Sequence, residues 1–109
     1  MLSKKYRLPI NLFPRDAGTA FQDRYITIKT VPNGLHSNRL GVLVGKHVSK
    51  SAVQRNKLRR TFFDSFGLSS GFSEKRSNPQ DLLIVLKPTI MKLARRDLKA
   101  KLEKYVLLV

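Results

Sequence analysis

The apolar positions of this chain fall into three rhythms. Residues 25–31, Tyr25-Ile26-Thr27-Ile28-Lys29-Thr30-Val31, alternate, with Ile26 and Ile28 on one side and Thr27 and Lys29 on the other. That is the period of a strand with one buried face, written in the β-branched residues that suit it. Pro32-Asn33-Gly34 then supplies turn chemistry, and residues 39–45 form a second strand expected to run antiparallel to the first. The run Leu82-Leu83-Ile84-Val85-Leu86 does not alternate. Too short for a helix and apolar on both sides, it predicts a central strand buried on both faces.

Two segments repeat at helical spacing instead. At 100° per residue, Ala52, Leu58, Thr61, Phe62, Ser65 and Phe66 share one arc, while Asn56, Lys57 and Arg60 fall opposite. Ser51-Ala52-Val53-Gln54 fits a capping box at the start of this helix, and Gly67 marks its end. Phe63 falls nearer the charged side and is expected to border it. Pro88-Thr89 opens a last helix in which Ile90, Leu93, Ala94, Leu98, Leu102 and Tyr105 recur, with Asp97 four residues before Lys101. Residues 1–24 are basic and irregular, with Pro9, Pro14 and Gly18 leaving room for at most a short helix over 16–22. Residues 67–80, with their serines, glycines and Pro79, predict an exposed connection. The order is (α)ββαβα in one domain spanning 1–109, an α+β fold with a small sheet of three to four strands packed with helices.

Charge changes the picture from fold to partner. The chain carries 22 Lys and Arg against 7 Asp and Glu, a formal net charge of +15, which calls for a polyanion such as nucleic acid or an anionic membrane surface. No apolar run approaches the ~18 residues of a membrane helix, and prolines interrupt the apolar residues after Lys4, Lys5 and Arg7 before a signal-peptide core can form. A cytoplasmic protein without a membrane partner is expected. The chain has no cysteine, which removes disulfides and thiolate metal sites from consideration.

The charge is concentrated in the fifteen residues 46–60, which hold Lys46, Lys50, Arg55, Lys57, Arg59 and Arg60 and no carboxylate. Exposed helices ordinarily support such cations with i,i+4 acidic partners. Their absence leaves phosphates as the natural counter-charge, so Lys46, His47, Lys50, Arg55, Asn56, Lys57, Arg59 and Arg60 are the candidate RNA-binding residues. Catalytic chemistry has no comparable signal. His36 and His47 stand in different segments, the acidic residues are scattered, and no metal-ligand spacing occurs. Neither a catalytic residue nor a metal ligand is assigned.

The strand Leu40-Gly41-Val42-Leu43-Val44-Gly45, the following Lys46-His47, the helix Ala52-Val53-Gln54-Arg55-Asn56-Lys57-Leu58-Arg59-Arg60 and the strand end Leu86-Lys87-Pro88 together resemble the bacterial ribonuclease P protein component. The resemblance covers residues 22–107. It implies a ribosomal-protein-like fold whose crossover from strand through helix to parallel strand has the rare left-handed sense, against the usual rule. It also implies the auxiliary subunit of a ribonucleoprotein that removes the 5′ leader from precursor tRNA. The partners are then a catalytic RNA and precursor tRNA, with Mg2+ in the RNA-containing holoenzyme and no cofactor held by the protein. Arg55, Asn56, Arg59 and Arg60 match the signature helix of that family, and Lys46-His47 takes the place of its basic pair. The family's two N-terminal phenylalanines, four residues apart on a first helix, have no match here, since Pro14 follows Phe13. Phe21 and Tyr25, and after them Phe13, are the candidates for stacking on the leader. A ribosomal or ribosome-assembly protein is the alternative reading, because fold alone does not decide function.

Overall fold

The computed structural model describes residues 8, 13, 17–34, 38–67 and 80–107. In chain order these form β1 (Gly18–Gln22), β2 (Ile26–Pro32), β3 (Arg39–Leu43), α1 (Ala52–Gly67), β4 (Gln80–Leu86), a 3₁₀ turn (Pro88–Lys92) and α2 (Arg95–Val106). The four strands make one sheet in the order β1-β2-β4-β3.

The strand β4 is central, as its unbroken apolar run predicts. It pairs antiparallel with β2, from Ile26 opposite Leu86 to Pro32 opposite Gln80, and parallel with β3, from Arg39 opposite Asp81 to Leu43 opposite Val85. Two expectations are corrected here. The β2 and β3 strands run in opposite directions but are not neighbours, because β4 lies between them. Their connection leaves the sheet through Gly34, whose φ of 66° lies in the left-handed region that glycine enters without steric cost. Residues 18–22 are strand, where the sequence leaves room for at most a short helix over 16–22. Their register with β2 shifts between Thr19 and Phe21, a local irregularity at Ala20.

The turn between β1 and β2 explains why this segment is strand. The Asp23 carboxylate accepts hydrogen bonds from the backbone N–H groups of Tyr25 at 2.8 Å and Ile26 at 2.9 Å, closing an Asx-type turn that folds the chain back on itself. Local hydrogen bonding of this kind outweighs the weak helical preference of a five-residue segment. Residues 68–79 of the expected linker, and most of the N-terminal segment, lie outside the described residues.

One face of the sheet carries the core. Ile26, Ile28, Leu40, Val42, Leu82, Ile84 and Leu86 meet Phe62 and Phe66 of α1, Ile90 of the 3₁₀ turn, and Leu102 and Tyr105 of α2. The alternation in β2 thus buries Ile26 and Ile28 as predicted. Phe63, half-buried, packs against the edge of this core. The last helix is broken. Leu93 and Ala94 are extended, and α2 begins only at Arg95. Pro88 favours a helical start, yet Ile90 is drawn into the core by the tighter 3₁₀ turn and the chain must re-aim before Leu102 and Tyr105 can reach it.

Two carboxylates, Asp81 buried and Asp23 half-buried, tie these layers together. Asp81 accepts from the Arg39 guanidinium, Nε at 2.8 Å and Nη2 at 2.7 Å, and from Asn33 Nδ2 at 2.9 Å. This forked pair fixes the β3–β4 register, and it raises the Arg39 pKa through the hydrogen bond to Asp81. Asp23 accepts from the Tyr105 hydroxyl at 2.6 Å, linking the β1–β2 turn to α2. Burial works to raise the Asp23 pKa, but the bonds from Tyr105, Ile26 and Tyr25 and the nearby Lys101 outweigh it and hold the carboxyl below its ordinary range.

A carboxyl depressed in the folded state contributes stability above its unfolded pKa and loses it as pH falls through the folded value. Tyr105→Phe is therefore expected to cost about 1.5 kcal/mol at pH 7, typical of a hydrogen bond to a charged group. It should also flatten the fall in stability on acidification below about pH 4, the ordinary aspartate range. Urea unfolding at pH 7 and pH 3 measures both. Equal losses for the wild type and variant across that interval would remove Asp23 from this role.

Candidate nucleic-acid interface

Val44 and Val48 are buried, and they set the geometry of everything between β3 and α1. The Val48 N–H donates to the Gly45 carbonyl at 3.0 Å, so the chain turns at 45–48 with its two valines inward. Lys46, His47 and Lys50 are thereby left exposed. A Cβ on Gly45 would stand 2.5 Å from the His47 ring, closer than atoms pack, so the imidazole occupies the space that only glycine leaves.

The start of α1 is capped by a relay rather than by a reciprocal box. The Gln54 N–H donates to Ser51 Oγ at 3.3 Å, as a capping serine should. Gln54 Oε1, however, accepts from Ser49 Oγ at 2.6 Å, and it is Ser49 Oγ that accepts from the Ser51 N–H at 3.2 Å. Ser49 thus inserts itself between the two halves of the predicted box. Arg55 reaches back to the same loop, its Nη1 donating to the carbonyls of Ser49 at 2.9 Å and Lys50 at 3.1 Å. Half-buried in this way, Arg55 braces residues 49–50 and orients the exposed cations around it.

Along α1, Asn56, Lys57 and Arg60 are exposed and Arg59 is half-buried, with Arg59 Nη1 donating to Asn56 Oδ1. The structure brings Lys46, His47, Lys50, Arg55, Asn56, Lys57, Arg59 and Arg60 onto one continuous stretch of loop and helix, anchored on its far side by Phe62 and Phe66. Phe62 and Phe66 have no solvent exposure at all. No helix among the described residues is long and apolar enough to cross a membrane. No group of three or more His, Cys, Asp or Glu among them is placed to hold a metal.

The three aromatic candidates lie elsewhere. Phe21 packs against Tyr105 with ring centroids 5.9 Å apart, tilted by 57°. Tyr25, in the adjacent turn, has Lys101 Nζ 5.5 Å from its ring centroid. The spacing of Asp97 and Lys101 suggests a helical ion pair, but Lys101 instead turns to this aromatic corner. Lys87 Nζ, donating to the Asp23 carbonyl at 2.7 Å, is a second cation there, contributed by the Leu86-Lys87-Pro88 strand end. Phe13 is half-buried.

The four-stranded mixed sheet, with a βαβ crossover that projects a basic, ordered helix face, defines an α+β protein with a polycationic surface. The sequence profile of the Ribonuclease P family matches residues 12–108. The chain is 32% identical over 87 residues to the ribonuclease P protein component of Caldanaerobacter subterraneus subsp. tengcongensis, a match that spans 80% of this chain and 72% of that one. It is 37% identical over 68 residues to the corresponding Clostridium kluyveri protein, spanning 62% and 59%. Among solved structures, the Staphylococcus aureus RNase P protein superposes with a TM-score of 0.69 at 18% identity, over 92% of this chain and 94% of that one. The Thermotoga maritima RNase P protein superposes with a TM-score of 0.66 at 22% identity, over 84% and 85%. The chain belongs to the ribonuclease P protein component family, the auxiliary subunit of the ribonucleoprotein endoribonuclease that matures the 5′ end of tRNA. The family works with the ribonuclease P RNA and precursor tRNA, and these matches lend the ribosomal alternative no support.

If α1 grips phosphates, Arg59→Ala combined with Arg60→Ala is expected to weaken RNA binding and reduce the slope of log affinity against log salt by about 1–2, with the circular dichroism spectrum unchanged. An unaltered slope would take α1 out of the interface. Asn56 offers a sharper variant. Asn56→Asp turns the Arg59 contact into an ion pair and adds an anion where phosphates should sit, so it should lower affinity more than Asn56→Ala. Equal affinities for the two variants would show that this position faces no RNA.

Proposed function

We propose that the chain binds the catalytic RNA of ribonuclease P through Lys46, His47, Lys50, Asn56, Lys57, Arg59 and Arg60, with Arg55 bracing the loop and sharing in the contact. The observation that carries this reading is the one-sidedness of α1: phenylalanines locked into the core on one side, and on the other a run from 46 to 60 with six cations and no carboxylate of its own. The leader of precursor tRNA is held by an aromatic contact from Phe21 or Tyr25 first and Phe13 second. Its support is the corner where the half-buried Phe21 and Tyr25 rings lie with Lys101 over Tyr25 and Lys87 bound to the Asp23 carbonyl in the same turn, which suits a stacked base and its phosphates. The complex works in the cytoplasm.

The protein's part in leader removal is electrostatic and positional. Catalytic RNA and precursor tRNA repel each other, and a chain of net charge +15 supplies fixed countercharge between them. Among the described residues the two most tightly held carboxylates do not suit a magnesium site. Asp81 is occupied by Arg39 and Asn33, and Asp23 by Tyr105 and two backbone N–H groups, whereas Mg2+ favours carboxylates that keep its waters in place. In this reading the magnesium of the holoenzyme sits with the RNA, which activates the attacking water.

A magnesium titration of leader removal with protein alone, RNA alone and both together tests this division of labour. The protein should cleave nothing by itself, and its acceleration of the RNA should be largest at low magnesium and shrink as magnesium rises. Turnover by repurified protein alone, or an acceleration independent of magnesium, would contradict it.

A further inference from the structure

The side of α1 that borders α2 is not sealed. Between α1, the 3₁₀ turn and α2 lies an open groove of about 610 Å³. Its floor is aliphatic, formed by Leu58, Leu98 and Leu102, with Met91 left 42% exposed beside them. Its rim is cationic from both sides, with Lys57 contributed by α1 and Arg95 and Lys99 by α2. Asp64 is the one carboxylate among the described residues that line it.

We infer that this groove receives an unpaired nucleotide of the RNA partner, its base on the aliphatic floor and its phosphates against Lys57, Arg95 and Lys99. The volume lies in the range of small-molecule sites. Three cations against one carboxylate select an anionic occupant, while the exposed methionine and leucines select one with a flat apolar face. A nucleotide has both properties, and proteins that read RNA take up splayed-out bases on such surfaces. The polar groups at the mouth suit a base edge. Gln54 Oε1 is engaged by Ser49, which leaves the Gln54 amide N–H groups to donate, and Thr61 Oγ1 spends its proton on the Lys57 carbonyl, which leaves it an acceptor. Continuity supports the same occupant, because Lys57 belongs both to the groove rim and to the basic face of α1. An RNA strand held along that face enters the groove without crossing uncharged surface. The inference rests on the RNA-binding reading of α1 and extends the interface to α2, which no signature residue marks.

The chain contains no cysteine, so Met91→Cys carries a photoreactive azidophenacyl group at one defined place in the reconstituted holoenzyme. A crosslink to one or a few adjacent unpaired nucleotides is expected, and it should vanish when Arg95→Ala and Lys99→Ala are added. That pair should also lower affinity for the RNA about tenfold. Removing the same charge nearby but outside the groove, with Lys92→Ala and Arg96→Ala, should lower it by less than about threefold, a loss due to general charge alone. Equal losses for the two pairs, or no crosslink from position 91, would overturn the inference. Arg59→Ala with Arg60→Ala separates the two levels: a loss there with none from the groove pair defeats the groove alone, and no loss from either defeats the reading of α1 as well.

Discussion

The complete burial of Phe62 and Phe66 is the constraint on which the rest of the molecule depends. The β3 and β4 strands run parallel, so the chain must leave the sheet and return by a crossover, and α1 is the helix in that crossover. The two phenylalanines set its rotation about its own axis. Burial of each is worth about 1.5–3 kcal/mol, far more than any exposed ion pair in this chain can contribute. Packing therefore decides orientation, and the cations opposite the phenylalanines face solvent because the helix cannot turn without exposing its rings.

The loop before α1 extends the same logic by hydrogen bonding. Val44 and Val48 hold its ends in the core, Ser49 couples the cap of the helix to the loop, and Arg55 ties the helix back to the carbonyls of residues 49 and 50. A segment this rich in like charge would otherwise repel itself into many conformations. Internal donors and acceptors replace the missing acidic partners in ordering it, and the few well-placed carboxylates of the chain are spent elsewhere. Asp81 joins β3 to β4, and Asp23 joins the first hairpin to α2. The acidic groups thus hold the scaffold while the basic ones remain for a polyanion, a separation of roles that links folding stability to RNA binding.

How much of this is legible in the sequence depends on how local each cause is. The strand character of Ile26–Pro32 and Gln80–Leu86 follows from periodicity and from an unbroken apolar run, and the packed side of α1 from the spacing of Leu58, Phe62 and Phe66. The cluster from Lys46 to Arg60 is visible as composition alone. Other features depend on partners distant in the chain. The β1 strand is short and mostly exposed, and it becomes a strand because Asp23 turns the chain onto the open edge of β2. The separation of β2 from β3 is invisible until β4, some forty residues later, takes the place between them. The break at Leu93 and Ala94 comes from Ile90 and Leu102 both reaching the core, which no helical wheel shows. Arg55 is recognisable as a signature arginine, but its hold on the Ser49 and Lys50 carbonyls comes from the shape of the loop.

The central claim is that α1 and its preceding loop present their cations to RNA as one ordered surface. Lysine acetylation footprinting, read by mass spectrometry with and without the ribonuclease P RNA and in the absence of precursor tRNA, tests it most directly. Lys46, Lys50 and Lys57 should lose reactivity when the RNA binds, while Lys29 on the outward face of β2 and Lys104 near the end of α2 stay as reactive as in the free protein. Protection spread evenly over all five lysines, or concentrated at Lys29 and Lys104, would contradict the account.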